Sequence, residues 1–215
     1  MLNLNKIQLL PAREQVSSTL RKAILARELQ EGTIITLEEI SNQLGVSITP
    51  VREAFQMLAR DGLLKLRPNK GAIVLGMNEK SIREHYEARA ILESAIAYKV
   101  CKSGADLTTM LEAYHNAKTA LQENEYSEYS KYNQAFHLEL WRAGGNDKIT
   151  SMLSAMWSGL SMGSNIKEEE YAQISIKEHD GIVEALVARD AEKAKDLMYE
   201  HIMRSMENML THYKE

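Results

Sequence analysis

The chain has 215 residues, of which 44% are apolar, 26% charged and 6% aromatic, with only three prolines. That composition is of the ordinary globular kind and excludes collagen-like, mucin-like and wholly disordered classes. No run approaches 18 consecutive apolar residues, no leader pattern is read at the start, and the single Cys101 cannot close an internal disulfide, so the expectation is a cytoplasmic protein with no membrane contact. The formal charge of -4 is unevenly spread. Residues 1–77 carry ten Lys/Arg against seven Asp/Glu, and residues 78–215 carry sixteen against twenty-three. A basic front and an acidic back suggest two modules, 1–77 and 78–215, the first able to meet a polyanion.

In the front module, Leu10–Leu29 reads as an amphipathic helix with Val16, Leu20, Ile24 and Leu25 at helical spacing and Arg13, Arg21, Lys22 and Arg27 as its basic residues. Glu31-Gly32 ends it. A short helix spans 36–44, with Leu37, Ile40 and Leu44 on one face. Thr36 followed by Glu39 three residues on is a capping-box pattern. Gly45-Val46 makes a tight turn. A third helix runs from about Ser47 to Arg60, capped by Ser47 or Thr49, with Pro50 tolerated in the first turn and Val51, Ala54, Phe55 and Leu58 as its buried stripe. Two apolar segments, Leu63–Arg67 and Ala72–Leu75, flank a Pro-Asn-Lys-Gly turn and read as a hairpin. Three helices and a hairpin in this order make a winged helix-turn-helix.

Such a module enters the DNA major groove by the N-terminal end of its second motif helix. Ser47, Thr49 and Arg52 sit there, and Arg52 offers a fork that suits guanine O6 and N7. Arg67 and Lys70, with Gly71 on the wing, suit backbone phosphates, which position without reading sequence. The competing reading makes Arg52 the ion-pair partner of a neighbouring carboxylate and the hairpin a lid.

The back module reads as an antiparallel bundle of helices at roughly 79–102, 106–122, 125–143, 146–165, 168–188 and 190–213, broken by Gly104, Gly144-Gly145 and Asp190. His179 lies eleven residues before Asp190 and His201 eleven after, so in a helical hairpin turning at Arg189-Asp190 they stand at one height. Asn133 and His137 share a face at i and i+4. Three imidazoles and one oxygen around a point suit Zn, Ni or Mn. The alternative is three scattered helix histidines. Trp141, Trp157, Met156, Met162 and Tyr86 read as core.

The segments Ile40–Ala54, Leu58–Leu64 and Pro68–Val74, built on Gly-Val-Ser-Ile-Thr-Pro-Val-Arg-Glu-Ala, resemble the GntR family of bacterial transcription regulators. The chain departs from that pattern at Ile48, where an Arg is common, and at Glu38, where some members carry Arg. Both departures bear on which operator is read. Glu87–Glu93, Asn133–His137, Glu178-His179 and His201 resemble the FCD ligand-binding domain of the FadR-type members. That resemblance implies a mainly α fold, a homodimer on an imperfect palindromic operator, and a small-molecule effector, often an organic or sugar acid. It also implies a divalent metal held by an Asp and three His, matched here by Asn133, His137, His179 and His201. Arg89 would hold the far end of an anionic effector, or would pair with Glu93 one turn on.

Two other readings stand beside this one. A regulator with no small ligand would use the bundle for dimerisation only. A metal-dependent enzyme would need a placed general base, and Glu178 diverges from His179 by about 100° on a helix. With no nucleophile elbow, phosphate loop or paired carboxylates, the expectation is that the chain is not an enzyme.

Overall fold

A computed structural model of the chain describes residues 11–25, 27–68, 70–76, 79–160 and 168–214. They fall into two units, Met1–Asn78 and Glu79–Glu215. The first contains α1 (Ala12–Leu25), β1 (Ile34–Ile35), α2 (Leu37–Leu44), α3 (Ile48–Arg60), β2 (Leu64–Arg67) and β3 (Gly71–Val74). Thr36 starts α2 through the full capping box: its hydroxyl accepts from the Glu39 amide at 3.2 Å, and Glu39 Oε2 accepts from the Thr36 amide at 2.9 Å. Gly45, at φ 65°, ends the helix in the left-handed region that glycine enters at little steric cost. Helix α3 packs against α1 and β2, and Val51, Ala54, Phe55 and Leu58 of α3, Val16, Leu20 and Ile24 of α1 and Leu64, Ala72 and Val74 of the hairpin are all buried. Each large apolar side chain removed from water contributes roughly 1.5–3 kcal/mol.

Three details differ from the sequence expectation. Helix α1 ends by Leu25 rather than Leu29, because Arg27 adopts φ 57° and its amide turns back to the Ile24 carbonyl. Leu10 and Ala26 lie outside the described residues. Ser47 stands at the N-cap of α3 but makes no capping hydrogen bond, and Thr49 lies inside the helix. A two-residue strand, β1, joins the hairpin in the order β1-β3-β2, all antiparallel, with Ile34 opposite Ile73 and Ile35 opposite Ala72. Gly71 allows that third strand: its φ is +83°, and a Cβ there would fall 2.0 Å from the Ile35 carbonyl oxygen. The Arg21 side chain, 3% exposed, pairs with Asp61 at the end of α3 and ties α1 to it.

The second unit contains α4 (Glu79–Ser103), α5 (Thr108–Gln122), α6 (Tyr126–Ala143), α7 (Asp147–Leu160), α8 (Glu168–Val187) and α9 (Ala191–Lys214). Helix α7 was expected to continue to 165, and residues 161–167, with Met162, lie outside the described residues. Helix α4 packs along α9, α5 along α6 and α8 along α9. The turn between α8 and α9 forms where expected. Arg189 takes φ 58°, Asp190 Oδ1 accepts from the Lys193 amide at 3.2 Å, and the Arg189 guanidinium donates to the carbonyls of Val100 (3.2 Å) and Ala105 (2.8 Å). Among the described residues, no helix is long and apolar enough to cross a membrane.

Candidate functional site

In the first unit the exposed start of α3 carries Ser47, Ile48, Thr49 and Arg52. The neighbour of Arg52, Glu53, faces Arg13 at 3.6 Å, and among the described residues no carboxylate lies within ion-pair range of Arg52. Ser47 leaves its hydroxyl unused by the helix. Ile48 presents an apolar side chain, 37% exposed, on the same end. On the wing Lys70 is exposed, and Arg67 is half-buried on β2, opposite Gly71 of β3. The first turn of α3 therefore offers hydroxyls, a guanidinium and one apolar contact, and the wing adds two cations. This inventory suits base edges and phosphates.

In the second unit the hairpin register brings His179 of α8 against His201 of α9, and α6 adds His137. One nitrogen from each imidazole lies within 4.8 Å of the others. All three side chains are buried. His179 Nε2 and His201 Nε2 are 3.3 Å apart. Two nitrogens about 2.1 Å from one tetrahedral ion lie at about that separation.

Two of the three rings are oriented from behind by carboxylates. Glu178 Oε2 lies 2.6 Å from His201 Nδ1 and Glu93 Oε2 lies 2.8 Å from His137 Nδ1. A carboxylate facing Nδ1 holds the proton there and leaves the Nε2 lone pair for the centre. Glu178 is held in turn by the Arg204 Nε (2.8 Å), and Glu93 accepts from Trp141 Nε1 (3.0 Å) and Arg89 Nε (2.9 Å). Burial opposes ionisation of Glu93. Arg89 and His137, with Trp141, outweigh it and bring its carboxyl to about 2. Burial pulls His201 down to about 4 despite the Glu178 hydrogen bond. Burial, then the neighbouring imidazoles, pulls His179 well below its ordinary value. Both are neutral near pH 7, as metal ligands must be.

Asn133 stands one turn from His137 with Oδ1 buried and without a hydrogen-bond partner among the described residues. Three converging imidazoles, two of them with Nδ1 engaged by a carboxylate, and an orphaned amide oxygen fit a divalent ion.

Arg89 is 3% exposed and pairs with Glu93 at 2.8 Å, the second of the two sequence readings for that residue. Its guanidinium also lies 4.8 Å from the Trp157 ring centre. The sequence reading missed Glu93 as a partner of His137. It set Glu178 aside because Glu178 diverges from His179, and the structure places Glu178 on His201 across the hairpin instead. It also assigned the tryptophans to core packing. Trp141 is indeed buried but donates to Glu93, and Trp157 lies 4.8 Å from the His137 ring. Phe136 stacks on His179 at 4.3 Å.

Comparison with known proteins gives this geometry its setting. Residues 84–204 match the FCD domain, and residues 12–74 match the bacterial regulatory proteins of the gntR family. The gluconate operon transcriptional repressor of Bacillus licheniformis is 24% identical over 209 residues, covering 91% of this chain and 82% of that protein. The Uxu operon regulator of Haemophilus influenzae is 29% identical over 189 residues, covering 78% and 70%. Among solved structures, E. coli McbR/YncC has the same fold, with a TM-score of 0.73 at 21% identity, covering 95% of this chain and all of that one. These families and relatives are transcriptional regulators, not enzymes. The chain belongs to the gntR family of bacterial transcriptional regulators, with a winged helix-turn-helix in its first unit and an FCD domain in its second.

Proposed function

We propose that the chain is a homodimeric repressor whose hold on DNA is set by a small organic acid bound at a divalent metal. Residues 1–77 would read the operator and residues 78–215 would dimerise and sense. Arg52 would contact a base edge with Ser47 and Thr49 beside it, while Arg67 and Lys70 would hold phosphates around the turn that Gly71 closes. Two copies related by a two-fold axis would require an imperfect palindrome. His137, His179 and His201, with the Asn133 oxygen, would hold Zn, Ni or Mn. The ion, when bound, supplies open positions for carboxylate and hydroxyl oxygens.

The observation that carries the reading is the pair of carboxylates, Glu93 and Glu178, that turn two buried histidines lone pair inward. A carboxylate would satisfy the N–H of any buried imidazole, and the convergence of three imidazole nitrogens within 4.8 Å is what the metal reading adds. A relative named as the repressor of a gluconate operon supports repression here. Effector binding would alter operator affinity by about 1–3 kcal/mol of coupling.

The test is elemental mass spectrometry on tag-free protein, followed by fluorescence anisotropy on duplexes selected from a random pool. About one metal per protomer is expected, lost in a His137→Ala/His179→Ala variant. Protein that stays metal-free after reconstitution would overturn the sensor half of the proposal and leave the DNA-reading half standing.

A further inference from the structure

Helix α3 buries Val51, Ala54, Phe55 and Leu58 and turns Ile48, Thr49, Arg52 and Gln56 to the outside. That outer face is polar except at its first residue. Ile48 is 37% exposed, and among the described residues it is the only large apolar side chain left exposed on α1, α2 or α3. The fold gives no reason for it. Ile48 stands outside the buried stripe of its own helix, and a β-branched residue forms helix less readily than the lysine, glutamate or glutamine common on helix surfaces. Elsewhere on a protein a lone exposed isoleucine asks for no partner. Here it opens the second helix of a helix-turn-helix in a gntR-family chain, at the end that enters the major groove, with Ser47 before it and Arg52 one turn on.

The chemistry of that groove is selective toward an apolar side chain. Its base edges present one methyl, on C5 of thymine, among hydrogen-bond donors and acceptors. An isoleucine set against a cytosine amino group or a purine N7 would bury that group without a partner, which costs more than the missing contact. Set against thymine, it buries apolar surface on both sides. The side chain is also stiff, because one χ1 rotamer dominates for isoleucine in a helix, so contact orders little that is not already ordered. Arg52 lies four residues on, which sets its Cβ about 5–6 Å from that of Ile48 on the same face. Successive base pairs are about 3.4 Å apart. The two side chains therefore meet base pairs one or two steps apart.

We propose that Ile48 reads the C5 methyl of a thymine lying one or two base pairs from the guanine that Arg52 contacts, once in each half of the operator. This rests on the placement of the α3 start in the major groove given above, and it adds a base identity that Ser47, Thr49 and Arg52 leave open.

The experiment uses the full-length protein and fluorescence anisotropy. Duplexes are selected from a random pool, and each thymine of a selected half-site is then replaced, one at a time, by deoxyuridine, which lacks only the methyl. One thymine within two base pairs of a selected guanine should lose about fourfold in affinity per half-site, the worth of one buried methyl. Ile48→Ala should bind thymine and deoxyuridine at that position within about 1.5-fold of each other. Because the residue is exposed, this variant should unfold within about 2 °C of the wild type. A deoxyuridine effect that persists in Ile48→Ala belongs to the shape of the duplex and would overturn the assignment. Selected half-sites with no thymine sensitive to the replacement would overturn it too, and if Arg52→Ala still loses sequence preference the groove placement stands. Recovery of no preferred duplex, or a preference that survives Arg52→Ala, would overturn the groove placement and the thymine reading together.

Discussion

Replacing Glu93 by Gln tests the core of the FCD unit with a change of one charge and almost no change of shape. The Glu93 carboxylate is fully buried and serves three donors on two oxygens: Arg89 on Oε1, His137 Nδ1 and Trp141 Nε1 on Oε2. A glutamine offers one oxygen and one NH2. With the NH2 toward Arg89, two donors oppose each other and a guanidinium is left buried without its counter-charge. With the NH2 toward His137, the Trp141 N–H loses its acceptor and His137 must take the other tautomer, which places a proton on the Nε2 that should face the metal. Breaking a buried ion pair from one side costs about 3–5 kcal/mol. At about 2–4 °C per kcal/mol for a chain of this size, the unfolding temperature should fall by roughly 6–20 °C. Both tryptophans of the protein lie in this unit, one on Glu93 and one on His137, so their fluorescence reports the relevant transition. Zinc affinity should fall about 10–100-fold, the usual effect of losing a carboxylate behind a ligating histidine. An Arg89→Met/Glu93→Leu double variant should recover much of the stability but none of the zinc affinity. A fall of under about 1 kcal/mol, with zinc affinity intact, would refute the reasoning, because the pair would then be neither desolvated nor coupled to the histidine.

The DNA-reading unit yields four further expectations. Arg52→Ala should abolish preference for selected duplexes while leaving weak, salt-sensitive binding. Lys70→Ala should instead weaken all duplexes alike and lower the slope of log affinity against log salt by about one, and identical profiles for the two variants would remove the distinction between base and phosphate contacts. Gly71→Ala should unfold the first unit or detach β1, since its Cβ would fall 2.0 Å from the Ile35 carbonyl. Circular dichroism and proteolysis at Thr33–Thr36 would detect the change, and a variant as stable as wild type would contradict the sheet described here. Ile48→Arg should leave the fold untouched, because Ile48 is exposed at the start of α3, and should change the sequences recovered from a random pool.

The first unit was legible because its signals are local. The Thr36 and Glu39 capping box, Gly45, the tolerated Pro50 and the two strands either side of residues 68–70 each follow from local chemistry, and all appear in the fold. What escaped depends on distant partners. Ile34-Ile35 has no strand pattern of its own and becomes one only because β3 has a free edge and Gly71 lets the chains approach. The early end of α1 follows from a left-handed Arg27, a conformation that an arginine does not advertise.

The sensor site divides along the same line, with a more pointed consequence. Positions at i and i+4, and positions at equal distance from a helical turn, are legible, so His179 could be set against His201 and Asn133 beside His137 from spacing, while the joining of the two pairs came from the family resemblance. Glu178 could not, because adjacency on α8 argues that it faces away from His179. It does face away, and that is why it reaches His201 on the next helix. In a hairpin of two packed helices, a residue turned from one histidine is offered to the histidine opposite. A carboxylate beside one ligand in sequence is therefore best sought as the support of another in space. Glu93 follows the same logic at greater distance: its own-helix partner Arg89 was legible, and its partner His137 belongs to α6. The chain departs from the usual metal set by giving up a carboxylate at Asn133. Two carboxylates nonetheless stand directly behind its histidines, so negative charge is kept near the centre without competing for it. An ion held there by imidazoles and the amide would meet a neutral donor set, which suits borderline ions such as Zn and Ni better than hard, oxygen-seeking ones.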